Sequence, residues 1–160
     1  MMIKNERYAL IQGDCLEIMD KLIEQNIKVD AIICDPPYGT IKCKWDTIIP
    51  FDDMWSRLNK LIKSNGAIVL FGKQPFTTDL INSNRKLFKY ELIWEKDKPT
   101  NFALANKQPM CYHENILVFY KKQPIYNKQM VEREGKGTWR YEFDISHENR
   151  TMHGTNKKYS

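Results

Sequence analysis

Hydrophobic positions along this chain follow two periods. Tyr8–Ile11, Ala31–Cys34 and Ala67–Phe71 are short, nearly continuous apolar runs, the pattern of β-strands. Between them Leu16, Met19, Leu22 and Ile23 recur at helical spacing, and so do Phe51, Trp55, Leu58 and Ile62. Asp14 can cap the first helix, with Glu17 completing a capping-box pattern. Ser64-Asn65-Gly66 is predicted to end the second, and a third is predicted over Pro75–Asn82, with Pro75 acceptable in its first turn. Strand and helix therefore alternate, which predicts a parallel α/β sheet with covered faces. Farther on the pattern changes. Lys89–Lys96 and Glu114–Tyr120 read as strands with no helix between them, an antiparallel hairpin across a long loop, Asp97–His113. Loops of that length inside a compact domain are usually functional or disordered.

From Lys121 the period fades. Pro124, Gly135 and Gly137 interrupt it, although Thr138–Ile145 alternates well enough for a strand. Nine Lys or Arg against five Asp or Glu make this tail more basic than the chain average. The expected division is a main region over residues 1–120 and a basic carboxyl-terminal region over 121–160.

Composition narrows the class. With 42% apolar and 28% charged residues, the chain is that of an ordinary globular domain. Its apolar runs are far shorter than the ~20 residues of a membrane helix, and Met1–Arg7 carries no signal-peptide core, so a cytoplasmic protein without a membrane partner is expected. Cys15, Cys34, Cys43 and Cys111 show no C-x-x-C spacing, and His113, His147 and His153 are scattered, so no metal site is expected. The net charge of +5 is compatible with a nucleic-acid partner.

Chemistry concentrates at Val29–Tyr38, V-D-A-I-I-C-D-P-P-Y. The apolar half reads as a buried strand. Pro36 and Pro37 cannot extend it, because each lacks a backbone donor and fixes φ. Asp35 is thereby presented at the carboxyl end of a strand, where open α/β sheets hold their ligands. A carboxylate and a fixed carbonyl can both accept hydrogen bonds from an exocyclic amino group, while Tyr38 stacks on the base that carries it. The competing reading is an Asp-Pro turn that only ends a strand.

D-P-P-Y after a hydrophobic strand resembles the catalytic motif of S-adenosylmethionine-dependent DNA amino-methyltransferases. The aspartate form is more similar to adenine-N6 enzymes than to cytosine-N4 enzymes, which usually carry serine there. The resemblance covers Tyr8 to about Tyr120, in the motif order of the β-class. It implies a Rossmann-like α/β methyltransferase sheet, mostly parallel with a terminal antiparallel hairpin. It also implies catalytic roles for Asp35, Pro36, Pro37 and Tyr38, with S-adenosylmethionine as cofactor and double-stranded DNA as partner, in the setting of restriction-modification. Asp14-Cys15, in G-D-C, is similar to a segment that such enzymes place near the cofactor's adenine, and Asp35 adjoins the same site. Asp14 serves there as cap, as cofactor contact, or as both.

For the DNA, the stretch after the motif supplies Lys42 and Lys44 for phosphates and Trp45 for stacking, against a reading as solvated lysines and a packed tryptophan. Lys98, Asn101 and Lys107 in the long loop suit a phosphate contact or a grip on a displaced base, and the basic tail would begin a target-recognition region. One family feature is missing: a strand opening into a glycine-rich turn. Gly135-Lys136-Gly137 follows no buried strand and is rejected as that turn. The resemblance then implies an incomplete sheet with an exposed Ala31–Cys34 edge, and a chain inactive on its own: a fragment of a longer enzyme, or one completed by a homo-oligomer or a complementing chain. Alternatives are a non-catalytic nucleic-acid-binding or partner-subunit fragment, and a cytosine-N4 methyltransferase.

Overall fold

The computed structural model describes residues 2–5, 7–40, 43 and 45–130. The expected Thr138–Ile145 strand, the basic tail beyond residue 130 and Gly135-Lys136-Gly137 lie outside the described residues. The first compact unit, Met1–Tyr126, holds every element described below. In chain order these are β1 (Met2–Lys4), β2 (Ala9–Ile11), α1 (Cys15–Glu24), β3 (Val29–Cys34), α2 (Phe51–Leu61), β4 (Ile62–Gly72), α3 (Phe76–Ser83), β5 (Phe88–Thr100), a short 3-10 turn (Phe102–Leu104) and β6 (Cys111–Phe119).

The main sheet has four strands in the order β3-β4-β6-β5. β3 and β4 are parallel, and β6 runs antiparallel to both β4 and β5. The α/β architecture and the terminal hairpin are thus as expected. The last strand of that hairpin is the one that inserts beside β4.

Several elements differ from their sequence-based prediction. The first predicted strand does not join the parallel sheet. β2 pairs with β1 in a separate two-stranded antiparallel sheet. Asn5 forms the turn between them, its side-chain oxygen accepting from the amides of Arg7 and Tyr8 at 2.8 Å each. All of β2 is exposed, so burial gives it no reason to enter the core.

α2 does not reach Ser64-Asn65-Gly66. It stops at Leu61, because Ile62 turns extended and begins β4 opposite Val29. Gly66 then fits where a Cβ would lie 2.7 Å from the carbonyl oxygen of Asp30, closer than any side chain tolerates. The hairpin loop is shorter than predicted, because β5 continues to Thr100 and β6 begins at Cys111. β3, whose apolar run alone reads as buried, is an edge strand of this sheet with Ile33 71% exposed, in line with the exposed Ala31–Cys34 edge that the resemblance implied.

The core lies on one face of the sheet. Ile68 and Leu70 of β4 stand opposite Phe119 and Leu117 of β6, and all four are essentially sealed from solvent. Met54, Trp55 and Leu58 of α2 and Phe76 and Leu80 of α3 cover them. Trp55 packs on Phe119 with ring centres 4.9 Å apart and donates its indole N–H to Ser83 Oγ at 2.8 Å. The paired face-and-handle use of that tryptophan satisfies its one buried donor. α1 has no fully buried residue and is held to α2 partly by Arg57, whose guanidinium donates to both oxygens of Asp20 at 2.9 and 2.8 Å. Leu16, Met19, Leu22 and Ile23 are therefore only half-buried.

On the opposite face the cross-strand partners are also apolar. Val69 pairs with Val118, Phe71 with Ile116, and Ile116 with Leu92. Leu92 is 52% exposed there, so burial is concentrated on the helix-covered side.

That asymmetry predicts a split in mutational cost. Leu70→Ala should destabilise the protein by about 3 kcal/mol, the range for deleting a sealed leucine. Ile33→Ala should stay within about 0.5 kcal/mol, as exposed positions do. Urea unfolding of both variants checks this, and equal costs would contradict the one-sided core.

Candidate active site

β3 delivers the site. Its ladder with β4 ends at the pair Cys34 and Leu70, and the two prolines that follow have no N–H with which to prolong it. Asp35 is exposed just beyond the strand, Pro36 is buried, and Pro37 and Tyr38 are half-buried. The Tyr38 ring lies on Phe76 at the start of α3, centres 5.2 Å apart and planes 28° from parallel. One face of the ring thus has an aromatic floor. The Tyr38 hydroxyl donates to Asp35 Oδ1, so the motif's carboxylate and its aromatic ring are directly joined.

Burial raises the Tyr38 phenol well above its ordinary pKa, and its hydrogen bond to Asp35 and the charges of Asp35 and Glu114 raise it further. The hydroxyl therefore remains a donor at neutral pH. Cys34 is raised as well, first by burial and then by Cys15 and Asp35. Cys15 opens α1, so the first turn of that helix lies within electrostatic reach of the β3 terminus. Asp14 caps α1, with Oδ1 accepting from the amides of Leu16 and Glu17 at 2.9 and 3.2 Å. Cys15 of the expected Asp14-Cys15 segment is thus within electrostatic reach of Cys34, the residue before Asp35.

The other strands are tied to one another through side chains. Lys73, just past β4, donates to Thr100 Oγ1 at 2.8 Å, and Thr100 donates to the Cys111 carbonyl at 3.3 Å. This ties β4 to the mouth of the β5–β6 hairpin. One turn inward, Lys96 and Glu114 form an ion pair across the hairpin, with the ammonium 5.0 Å from the centre of the Trp94 ring. The charge of Glu114 also acts on Tyr38, after that of Asp35.

Asp46 is a residue that sequence reasoning missed. It is only 8% exposed, and its Oδ1 accepts from two successive amides of the motif turn, Tyr38 at 2.9 Å and Gly39 at 3.0 Å. Gly39 has φ +68°, a left-handed conformation suited to glycine, and a Cβ there would meet Ile48 at 2.9 Å. Asp46 thus ties the segment after the motif back to the motif turn, and Ile49 packs against the core. An aspartate gripping amides seven and eight residues earlier leaves no periodic signal.

The residues expected to meet DNA are less gathered. Trp45 is 71% exposed, which excludes its reading as a packed tryptophan. Lys98 is on β5 rather than in a loop, and it and Lys107 are exposed. Asn101 is left-handed, with φ +67°, and begins the 3-10 turn that leaves Phe102 81% exposed. Lys42 and Lys44 lie outside the described residues. Among the described residues no cluster of His, Cys, Asp and Glu could hold a metal ion, and no helix is long and apolar enough to cross a membrane.

The Tyr38 phenol supplies a pH test. The folded state keeps a proton that the unfolded chain releases above its ordinary value near 10, so stability falls as pH rises past that value. Tyr38→Phe removes this contribution. Wild type should therefore lose more stability than Tyr38→Phe between neutral pH and the region just above 10, as read by urea midpoints. Identical losses would mean that the phenol is not held in this way.

No protein-family model matches the chain, and no curated protein sequence matches it. Solved structures do. The chain is similar to M1.HpyAVI in its complex with SAM, at 25% identity and TM-score 0.58, over 76% of this chain and 61% of that one. It is also similar in fold to the cytosine-N4-specific PvuII DNA methyltransferase, at 14% identity and TM-score 0.51, over 78% of this chain and 57% of that one. The chain therefore spans about three fifths of the length of these proteins.

Proposed function

We propose that this chain, which has the fold of S-adenosylmethionine-dependent DNA methyltransferases, carries the base-binding part of an enzyme that methylates adenine N6 in DNA. The observation that carries the reading is the Asp35–Tyr38 turn at the carboxyl end of β3, with its exposed carboxylate joined to the tyrosine hydroxyl. Residues 1–120 would form the catalytic region and 121–160 the start of target recognition.

An exocyclic amine on a purine is a poor nucleophile, because its lone pair is delocalised into the ring. Asp35 and the Pro36 carbonyl would accept its two N–H bonds and turn that lone pair out of the ring plane. The prolines restrict the backbone that carries both acceptors, so alignment costs less at the moment of reaction. A base turned out of the duplex would stack on Tyr38, whose ring is already backed by Phe76. The amine would also displace the Tyr38 hydroxyl from Asp35 Oδ1 or take the carboxylate's other oxygen. After transfer, the nitrogen's surplus proton leaves by way of Asp35 to solvent.

When bound, S-adenosylmethionine supplies a methyl group activated by a sulfonium. Asp14 and Asp35 are exposed carboxylates, and Cys15, next to Asp14, acts electrostatically on Cys34; the two carboxylates would suit the polar adenosine portion as hydrogen-bond acceptors. Among the described residues no glycine-rich turn follows a strand to receive the methionine portion. Trp45, Lys98, Asn101 and Lys107, with Lys42 and Lys44, would meet the displaced strand and its phosphates.

The test is methylation of duplex DNA by the full protein with labelled cofactor, followed by nucleoside analysis. N6-methyladenine is the expected product, whereas N4-methylcytosine would replace the adenine assignment. Asp35→Ala should lower the rate about 100-fold or more, the scale of losing a preorganised polar contact in a transition state. Tyr38→Phe should keep more activity than Tyr38→Ala, because stacking needs the ring. Asp35→Ala methylating at more than a tenth of the wild-type rate would overturn the assignment.

A further inference from the structure

We propose that Asp46 is a positioning residue for the reaction. By binding the backbone of the motif from behind, it fixes the direction in which Asp35 and the Pro36 carbonyl face. The inference rests on the methyltransferase reading above and deepens it.

The prolines set φ at Pro36 and Pro37 but leave the downstream side of the turn undetermined. Past Pro37 the chain leaves the sheet, so no strand partner takes up the next amides. Asp46 takes both of them on one oxygen, at 2.9 Å from Tyr38 and 3.0 Å from Gly39. It is the one charged residue among the buried polar residues described. A carboxylate is costly to bury, and charge-assisted bonds to backbone amides help to offset that cost.

The carboxylate is itself held in place. The Asp46 amide donates to the Cys43 carbonyl at 3.1 Å, closing a turn directly before it. Gly39 packs against Ile48 from the same loop and could not accept a side chain there. The turn and the loop therefore brace each other on two sides, one polar and one apolar. Phe76 adds a third constraint by backing the Tyr38 ring. Relaxing the polar brace lets Tyr38 and Gly39 rotate, and Asp35 shares their rigid turn. Asp46 needs no contact with a base or a cofactor for this role.

Two substitutions separate this role from a merely structural one. Asp46→Asn keeps a side-chain oxygen that can accept both amides, whereas Asp46→Ala leaves both without that acceptor. With the full protein, Asp46→Ala should lower kcat by about 100-fold with KM for duplex DNA changed less than about threefold, because a shift of an ångström in aligned groups costs that much in rate. Asp46→Asn should recover most of the lost kcat.

Amide hydrogen exchange at Tyr38 and Gly39 gives a readout independent of activity. Both amides should be protected in wild type and in Asp46→Asn, and exchange much faster in Asp46→Ala, while the core strand amides of Leu70 and Leu117 stay protected in all three. If wild type makes no methylated base, the methyltransferase reading fails, and the exchange pattern still decides whether Asp46 holds the turn. Asp46→Ala with wild-type kcat, or with unchanged exchange at Tyr38 and Gly39, would overturn the proposal. So would a loss confined to KM, or an Asp46→Asn variant as impaired as Asp46→Ala.

Discussion

The absence of two backbone donors, at Pro36 and Pro37, is the constraint from which the candidate site of this molecule follows. A strand paired with β4 up to Cys34 has to stop there, because the next residues but one cannot donate to a ladder. Asp35 is left at the lip of the sheet with its side chain exposed, while Pro36 is driven inward. The same break frees the amides of Tyr38 and Gly39 from the sheet, and Asp46 captures them. A stiff turn, a buried anchor and an aromatic stack on Phe76 thus come from one local decision to end a strand.

The sheet behind the turn explains why that end is firm. Ile68 and Leu70 are locked between α2, α3 and the returning strand β6, so the carboxyl end of β4 is rigid next to the end of β3. The bond from Lys73 to Thr100 carries the same rigidity to the hairpin mouth. The proposed chemistry on an exocyclic amine would gain from such a frame, because alignment of the reacting groups lowers the barrier. The opposite face of the sheet and the free edge of β3 are less covered, with Ile33 and Leu92 largely in solvent.

How much of this was legible depended on whether the signal was local. D-P-P-Y could be read because the strand, the prolines and the tyrosine are contiguous, and the cap at Asp14 because it lies within one turn of the amides it serves. The hairpin could be read from apolar alternation, but not its reach, since Asp97–Thr100 carry few apolar residues and the ladder resumes only at Thr100 opposite Cys111, after an irregularity. The strand at Tyr8–Ile11 was misassigned because its partner is the chain terminus, and a short apolar run does not say which sheet it joins. The apolar run of β3 taken alone overstates its burial for the same reason: apolar sequence shows what a strand prefers, not whether a neighbour covers it. Asp46 was invisible, since a solitary carboxylate in a polar stretch looks solvated until the fold brings two amides to it.

Where a target base goes is the decisive question for this turn. The direct measurement is a crystal structure of the full protein with duplex DNA containing adenine and a non-reactive cofactor analogue. The account predicts an extruded adenine stacked on Tyr38, with its amino nitrogen about 3 Å from a carboxylate oxygen of Asp35 and from the Pro36 carbonyl. DNA bound with every base still stacked in the duplex, or a base lodged away from this turn, would contradict it.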